Sequence, residues 1–283
     1  MEFESKVRSF GGEQRDFVHP SEAVGLPMRG SVYLPPAALA GEPCPVVYFL
    51  SGLTCTAANF VTKAGAQRVA SELGLIIVAP DTSPRGAGTE GEDDAWDFGT
   101  GAGFYVDATV APWSRHYRMW SYVTQELPDC VEATFPVRVG ARGVCGHSMG
   151  GHGALVAALR HPERYRSVSA LAPIVAPASV PWGQKAFAGY LGQDQAAWRD
   201  YDATELVEMG ARHPTEILID QGLSDGFLAA QLQPERFERA CAGHGQPLRY
   251  RAHPGYDHSY FFIATFIEDH LRHHHAALRA SAT

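Results

Sequence analysis

Ser148 is the residue whose neighbours are best arranged for nucleophilic chemistry. It lies in Gly146-His147-Ser148-Met149-Gly150, a G-x-S-x-G pentapeptide. Gly143 to Gly146 are small or apolar and predict a short buried strand. From Met149 the pattern turns helical, with Leu155, Val156 and Leu159 at helical spacing and Pro162 beyond the end. Strand, sharp turn and helix form the context in which this pentapeptide becomes a nucleophile elbow. Such a turn strains the serine backbone, and the small residues Gly146, Gly150, Gly151 and Gly153 leave room for it. The hydroxyl is then held at a helix N-terminus, where backbone N–H groups can meet a developing oxyanion.

A serine hydroxyl attacks poorly until a base takes its proton and a third group orients that base. Thirteen histidines compete for the role. His147 and His152 flank the serine, and on a sharp elbow their side chains are expected to point elsewhere. His270 and His273 to His275 read as a solvated, partly frayed face of the last helix, with no carboxylate pair or cysteine to complete a metal site. His253 and His258 follow a strand predicted over Leu248–Ala252, and His258 lies in the turn Gly255-Tyr256-Asp257-His258-Ser259 that leads into the last helix. In the chain order Ser…Asp…His the histidine occupies such a loop, so His258 is the expected base. The acid must fall between them, and Asp220 and Asp225 bracket D-Q-G-L-S-D after the strand EILID. Asp220 is expected in or at the strand end, facing sideways. Asp225 lies about one turn further on and can reach over the sheet edge, whereas Asp257 is too close to His258 in sequence to orient it. Asp225 is therefore favoured. The oxyanion donors are expected to be the backbone N–H groups of Met149 and Leu53, the latter released to turn inward by Gly52. Cys55, two residues on, is expected near the pocket as a bystander thiol.

These groups need a scaffold that brings three distant segments to one edge. Stretches at Phe3–Phe10, Gln14–His19 and Ser31–Leu34 read as antiparallel strands. PVVYFL (Pro45–Leu50) and LIIVA (Leu75–Ala79) read as fully buried strands, with a helix between them over Ala57–Leu73. The alternation continues through Val168–Leu171, Glu216–Asp220 and Leu248–Ala252 to a final helix over Ser259–Leu278. It predicts an α/β fold: a mostly parallel central sheet with helices on both faces and antiparallel N-terminal strands, in one domain over residues 1–283. Residues Pro84–His116 break the rhythm with six glycines, an acidic run from Glu90 to Asp94 and several aromatics. The acidic run reads as a solvated excursion. The aromatics predict a loop folded over the C-terminal edge of the sheet, where ligands bind in open α/β folds.

The composition narrows the partners. With Lys+Arg 23 against Asp+Glu 31 the formal charge is −8, so nothing in the composition suggests nucleic acid or an anionic membrane surface as a partner. No apolar run reaches the roughly 20 residues of a spanning helix. The charged N-terminus lacks a signal-peptide core, and the five cysteines are scattered without CxxC spacing. Together these predict a cytoplasmic protein with free thiols.

Several longer stretches resemble the S-formylglutathione hydrolase family, the esterase D group of the α/β-hydrolase superfamily. They are Tyr48–Arg68, Trp96–Thr109, the GHSMGGHGAL segment, PWGQKAFAGYLG from Pro181, DQGLSDGFL from Asp220 and GYDHSYFFIATFI from Gly255. Carried over by position, the family triad falls on Ser148, Asp225 and His258, and the oxyanion donors on Leu53 and Met149. The resemblance implies hydrolysis of S-formylglutathione in formaldehyde detoxification, esterase activity on short acyl esters, no cofactor or metal, and a homodimer. It places the family's cysteine near the active site at Cys55. For such a substrate, Trp96 and Trp182 are expected to wall off longer acyl chains. Lys63, Arg85, Arg115 and Lys185 are candidate partners for the glutathione carboxylates. The chain departs from the family pattern at Ala176–Val180, just before Pro181-Trp182.

Overall fold

The computed structural model describes residues 1–279, so the last four residues of the expected domain, 280–283, lie outside the described residues. One nine-stranded sheet runs through it in the order β1-β2-β3-β5-β4-β6-β7-β8-β9. The first three strands, β1 (Glu2–Ser9), β2 (Gly12–Pro20) and β3 (Pro27–Leu34), form an antiparallel meander at one edge. The others are β4 (Cys44–Leu50), β5 (Ile76–Pro80), β6 (Val137–His147), β7 (Ser167–Leu171), β8 (Ile217–Gly222) and β9 (Leu248–His253). All of these pair in parallel, and β3 joins them antiparallel to β5. Every residue of β4, β5, β7 and β8 is buried, as a parallel sheet covered on both faces requires.

The main covering helices are α1 (Ala57–Lys63), α2 (Ala66–Leu73), α3 (Leu127–Thr134), α4 (Met149–Arg160), α5 (Pro181–Leu191), α6 (Pro234–His244) and α7 (Tyr260–Arg279). The faces they take are set by the pleat of β6. A Cβ on Gly143 would meet His274 of α7, whereas one on Gly146, three residues on, would meet Gly150 of α4. So α4 and α7 cover opposite faces of the strand that carries the elbow.

Three local expectations differ from the structure. The helix expected over Ala57–Leu73 is two, because Gly65 adopts φ 68°, a left-handed conformation that interrupts the helical path. The elbow strand is much longer than Gly143–Gly146, since its half-exposed first residues from Val137 carry no continuous apolar signal. Within the acidic run of the long loop, Glu92 is buried rather than solvated, and its carboxylate accepts the N–H groups of Ala87 (3.2 Å) and Gly88 (2.9 Å). The loop packs inward through Phe98, Phe104, Tyr105 and Trp113, while Trp96 stays largely exposed. Phe98 stacks on Tyr190 of α5 at 4.5 Å between centroids and meets Trp113 edge-on at 4.6 Å. Gly101 comes so close to the segment after β4 that a Cβ there would lie 3.0 Å from the Thr54 Cα.

Candidate active site

The elbow is built as its residue types require. Ser148 sits between β6 and α4 with φ 57° and ψ −119°. This strained conformation is held from both sides: its N–H donates to the Leu171 carbonyl (3.0 Å), and its own carbonyl accepts from His152 (3.0 Å) and Ile174 (3.2 Å). Glycine is needed on either flank, since a Cβ on Gly146 would lie 2.1 Å from the Gly150 oxygen and one on Gly150 1.9 Å from the Leu50 oxygen.

Two loops at the same edge of the sheet carry the carboxylate and the imidazole. Gly222, at the end of β8, lets them approach, because a Cβ there would sit 2.4 Å from the Tyr256 carbonyl oxygen. They are laced together by Leu223 N–H to the His253 carbonyl (3.0 Å) and Ser224 N–H to the Tyr256 carbonyl (2.9 Å). On this frame Asp225 Oδ2 and His258 Nδ1 are 2.5 Å apart. The same oxygen accepts from Gln221 Nε2 (3.2 Å), and Oδ1 accepts the Phe227 N–H (2.8 Å). The carboxylate is buried, while the imidazole stays partly open to the cavity. Ser148 and His258 both line a cavity of about 300 Å³, with Leu53, Trp96, Trp182 and Phe227 among its other walls. No Ser148 Oγ to His258 Nε2 hydrogen bond is formed in this structure. Such bonds are often long without substrate and tighten in the Michaelis complex. The Leu53 N–H has no hydrogen-bond partner among the described residues, and Met149 opens a helix, where N–H groups lack intrahelical partners.

The other expected residues divide into two groups. Cys55, Trp96 and Trp182 line the cavity. Trp182 meets Trp96 edge-on at 5.5 Å and lies 4.7 Å from the Phe227 ring. Burial pushes the Cys55 thiol pKa up, which keeps it protonated and weakly nucleophilic. The cations stay out of the lining. Lys63 sits over the Tyr260 ring at 5.5 Å, Lys185 pairs with Asp97, and Arg85 pairs with Asp81 (2.8 Å). Arg115 is exposed, and the departing segment Ala176–Val180 stops short of the cavity, which begins at Trp182.

Histidine positions supply the main corrections. His152 does point away, to the Phe104 carbonyl (2.9 Å). His147 does not: it lines the cavity with its ring 4.4 Å from that of His258. Nor is the last helix a solvated histidine face, since His270 and His274 are fully buried. His274 lies between the Ser167 (2.6 Å) and Ser169 (2.8 Å) hydroxyls of β7. His270 Nε2 bonds Asp220 (3.1 Å), which also receives Arg251 (2.5 Å) and faces His253 (3.2 Å). Burial alone would raise the Asp220 pKa, but the hydrogen bonds from His270 and Arg251 hold it well below the usual carboxylate range. The missed signal was spacing: Ile263, Ile267, His270, His274 and Leu278 form one i, i+3, i+4 stripe. Phe227 and Tyr260 also line the cavity without having been singled out, and nothing in their spacing marks them.

A larger cleft of about 490 Å³ lies elsewhere, lined by His19, Glu126 and Cys130 among others. Its Glu126 carboxylate is occupied by the Ser21 hydroxyl (2.6 Å) and the Glu22 N–H (2.7 Å), and no elbow serine opens into it. Among the described residues no group of three or more His, Cys, Asp or Glu side chains is placed to hold a metal ion, and no helix is long and apolar enough to cross a membrane.

The chain as a whole is similar to known proteins. The family model described as putative esterase matches residues 21–273. The chain is 56% identical over 277 residues to S-formylglutathione hydrolase of Mus musculus, covering 98% of each, and 55% identical over 271 residues to that of Paracoccus denitrificans, covering 95% of each. It superposes on the solved S-formylglutathione hydrolase of Agrobacterium tumefaciens with a TM-score of 0.96 at 53% identity, covering 98% of this chain and 100% of that one. The chain is thus a hydrolase of the α/β-hydrolase fold and belongs to the S-formylglutathione hydrolase family of esterases.

Proposed function

We propose that the chain hydrolyses S-formylglutathione to glutathione and formate through a formyl-serine intermediate. The observation that carries this reading is the 2.5 Å Asp225–His258 pair at the cavity into which the strained Ser148 opens. In the first step Ser148 Oγ attacks the thioester carbonyl and His258 Nε2 takes its proton. The Met149 and Leu53 N–H groups receive the oxyanion, and glutathione leaves as the thiol, taking the proton back from His258. Water then attacks the formyl ester with His258 again as base, releasing formate. Asp225 fixes the Nδ1–H tautomer and stabilises the imidazolium. A formyl group needs little room, and Trp96 and Trp182, in the cavity wall, are the side chains that would exclude longer acyl chains.

The wider reading is a single hydrolase domain over residues 1–283, acting as a cytoplasmic homodimer in formaldehyde detoxification. The unbroken sheet supports the first part. The five free cysteines accord with a reducing compartment.

One observation favours a second reading, a general short-chain carboxylesterase: no Lys or Arg lines the cavity to hold the glutathione carboxylates. Measuring kcat/KM on S-formylglutathione and p-nitrophenyl acetate separates the two. A preference of a hundredfold or more for the thioester is expected, and equal values would favour the general esterase. Ser148→Ala should abolish turnover of both substrates.

A further inference from the structure

His147 is the one imidazole in the cavity wall that the mechanism above leaves unused. It is buried, and its Nε2 has no hydrogen-bond partner. A buried unpaired nitrogen is normally costly, which makes a histidine here unexpected from packing alone. Gly52 adds a second constraint, since a Cβ there would press on His147 Nδ1 at 3.2 Å and on Ser148 Cβ at 3.1 Å. The ring is therefore held in a slot between the oxyanion loop and His258, whose own ring lies 4.4 Å away with the planes tilted by 45°. Phe227 meets His258 edge-on at 5.1 Å. The base thus touches two aromatic rings besides its bond to Asp225.

We propose that His147 is a positioning residue for His258, its ring backing the base and its π face stabilising the imidazolium that forms each time His258 accepts a proton. The proposal rests on His258 being the base. Burial holds the His147 pKa well below the usual histidine value, so the ring presents a neutral face at working pH. A neutral aromatic face attracts a cation, and the attraction grows once water is excluded. Asp225 supports the same imidazolium through Nδ1, leaving the ring face to His147.

The other ionisable groups around His258 can be separated from this effect. They are Asp225 after β8, Cys55 after β4, Asp257 and Tyr260 on its own segment, and Lys63 of α1 over the Tyr260 ring. Burial raises the Cys55 and Tyr260 pKa values, and hydrogen bonds from Ser259 lower that of Asp257. Cys55 and Tyr260 therefore stay protonated and Asp257 ionised near neutral pH, and all five groups are common to the variants compared, so a displacement of the acid limb between variants reports the change at His147.

The test is the pH dependence of kcat/KM on p-nitrophenyl acetate for wild type, His147→Leu and His147→Phe, each normalised to active sites by burst titration. Leu removes the π face but fills the slot. It is expected to lower kcat about two- to thirtyfold with KM little changed, and to move the acid limb down by about 0.4–1.5 pH units, because the imidazolium has lost support. Phe keeps a face and is expected to return the limb to its wild-type position. An unmoved limb in His147→Leu, or one moved upward, overturns the proposal, and so does a limb still displaced in His147→Phe. Ser148→Ala measured alongside keeps the two readings apart. Full turnover there overturns the serine mechanism and this inference with it, whereas a dead Ser148→Ala with an unmoved His147→Leu limb overturns this inference alone.

Discussion

Asp225→Asn is the sharpest test of the site, because the structure dictates how the amide must sit. The carboxylate has two occupied oxygens: one accepts from the Phe227 N–H (2.8 Å), the other from His258 (2.5 Å) and Gln221 Nε2 (3.2 Å). Asparagine supplies one acceptor and one NH₂ group, so one side must lose. If the NH₂ faces Phe227, two N–H donors collide and a buried backbone donor goes unpaired, at a cost of about 1–3 kcal/mol. If it faces His258 and Gln221, both can adapt. His258 moves its proton from Nδ1 to Nε2, and Gln221 can rotate its amide, whose oxygen is buried and unpartnered, giving up the bond of its Nε2 to the Gly222 carbonyl (3.1 Å). The second arrangement should win. It leaves His258 with Nε2–H pointing at Ser148, a donor where a base is needed. A wrong-tautomer substitution of this kind costs about 10⁴-fold in kcat in the serine-protease template. A similar loss is expected here on p-nitrophenyl acetate, with KM and the thermal midpoint nearly unchanged. Asp257→Asn is the control: that carboxylate bonds only its own turn, at Ser259 (2.7 Å), and the change should cost less than about twofold. Asp225→Asn retaining more than a tenth of wild-type kcat would refute the assignment of the orienting acid.

Three further outcomes follow from the structure. Gly52→Ala places a Cβ 3.1 Å from Ser148 Cβ, so the Leu53 N–H must shift by a few tenths of an ångström; steady-state kcat should fall about tenfold or more, short of the ~10²–10³ for losing a donor outright. Trp182→Ala opens the wall shared with Trp96 and Phe227, and relative kcat/KM across formyl, acetyl and butyryl esters should swing toward butyryl; an unchanged order removes that wall from specificity. Burial lowers the His152 and His273 pKa values from 6.5 to about 4, so the unfolded chain binds more protons below pH 6.5. Their contribution to stability is whole above pH 6.5 and lost as pH falls toward 4, up to about 3 kcal/mol for each at roughly 1.4 kcal/mol per unit, which urea titrations between pH 7 and 4 would read as a falling midpoint.

How much of this was legible in the residues differs by element. Strand β4 and the elbow announced themselves because burial on both faces and tight glycine packing leave few residue choices. Asp225 is separated from Asp220 by position alone, one turn past the strand: Asp220 lies in β8, with partners that nothing in the sequence marks, and Asp225 lies beside His258. Histidines were harder. A run of His273-His274-His275 looks solvated in composition, yet its members lie at different angles around α7, and only its periodicity tells that His274 is inside. His147 departs from the expectation because the loop after β9 brings His258 against it, so the residue beside the elbow serine becomes part of the cavity wall. The candidate cations lie outside the cavity lining because a surface lysine can serve an ion pair instead, as Lys185 does with Asp97.

The chain contains two histidine–carboxylate pairs on the same pair of segments, and comparing them shows what separates catalysis from architecture. Asp220–His270 is the more richly bonded, with Arg251 and His253 also on the carboxylate. Even a nucleophile stands near, since Cys145 Sγ lies 4.0 Å from His270 Nδ1. Yet Asp220, His270 and Cys145 are all buried, burial has pushed the Cys145 thiol up to about 12, and the cavity on that side is lined by Arg251 and Asp269 rather than by any of the three. Ser167-His274-Ser169 is equally enclosed and has no carboxylate on its imidazole. Such closed networks tie α7 to β7 and β8 and so fix the root of the loop that carries Asp225. Asp225–His258 has fewer bonds, but its imidazole is left partly open beside a strained serine and unpaired backbone donors. Chemistry requires an unfinished hydrogen-bond set that a substrate can complete, and only this second pair leaves one.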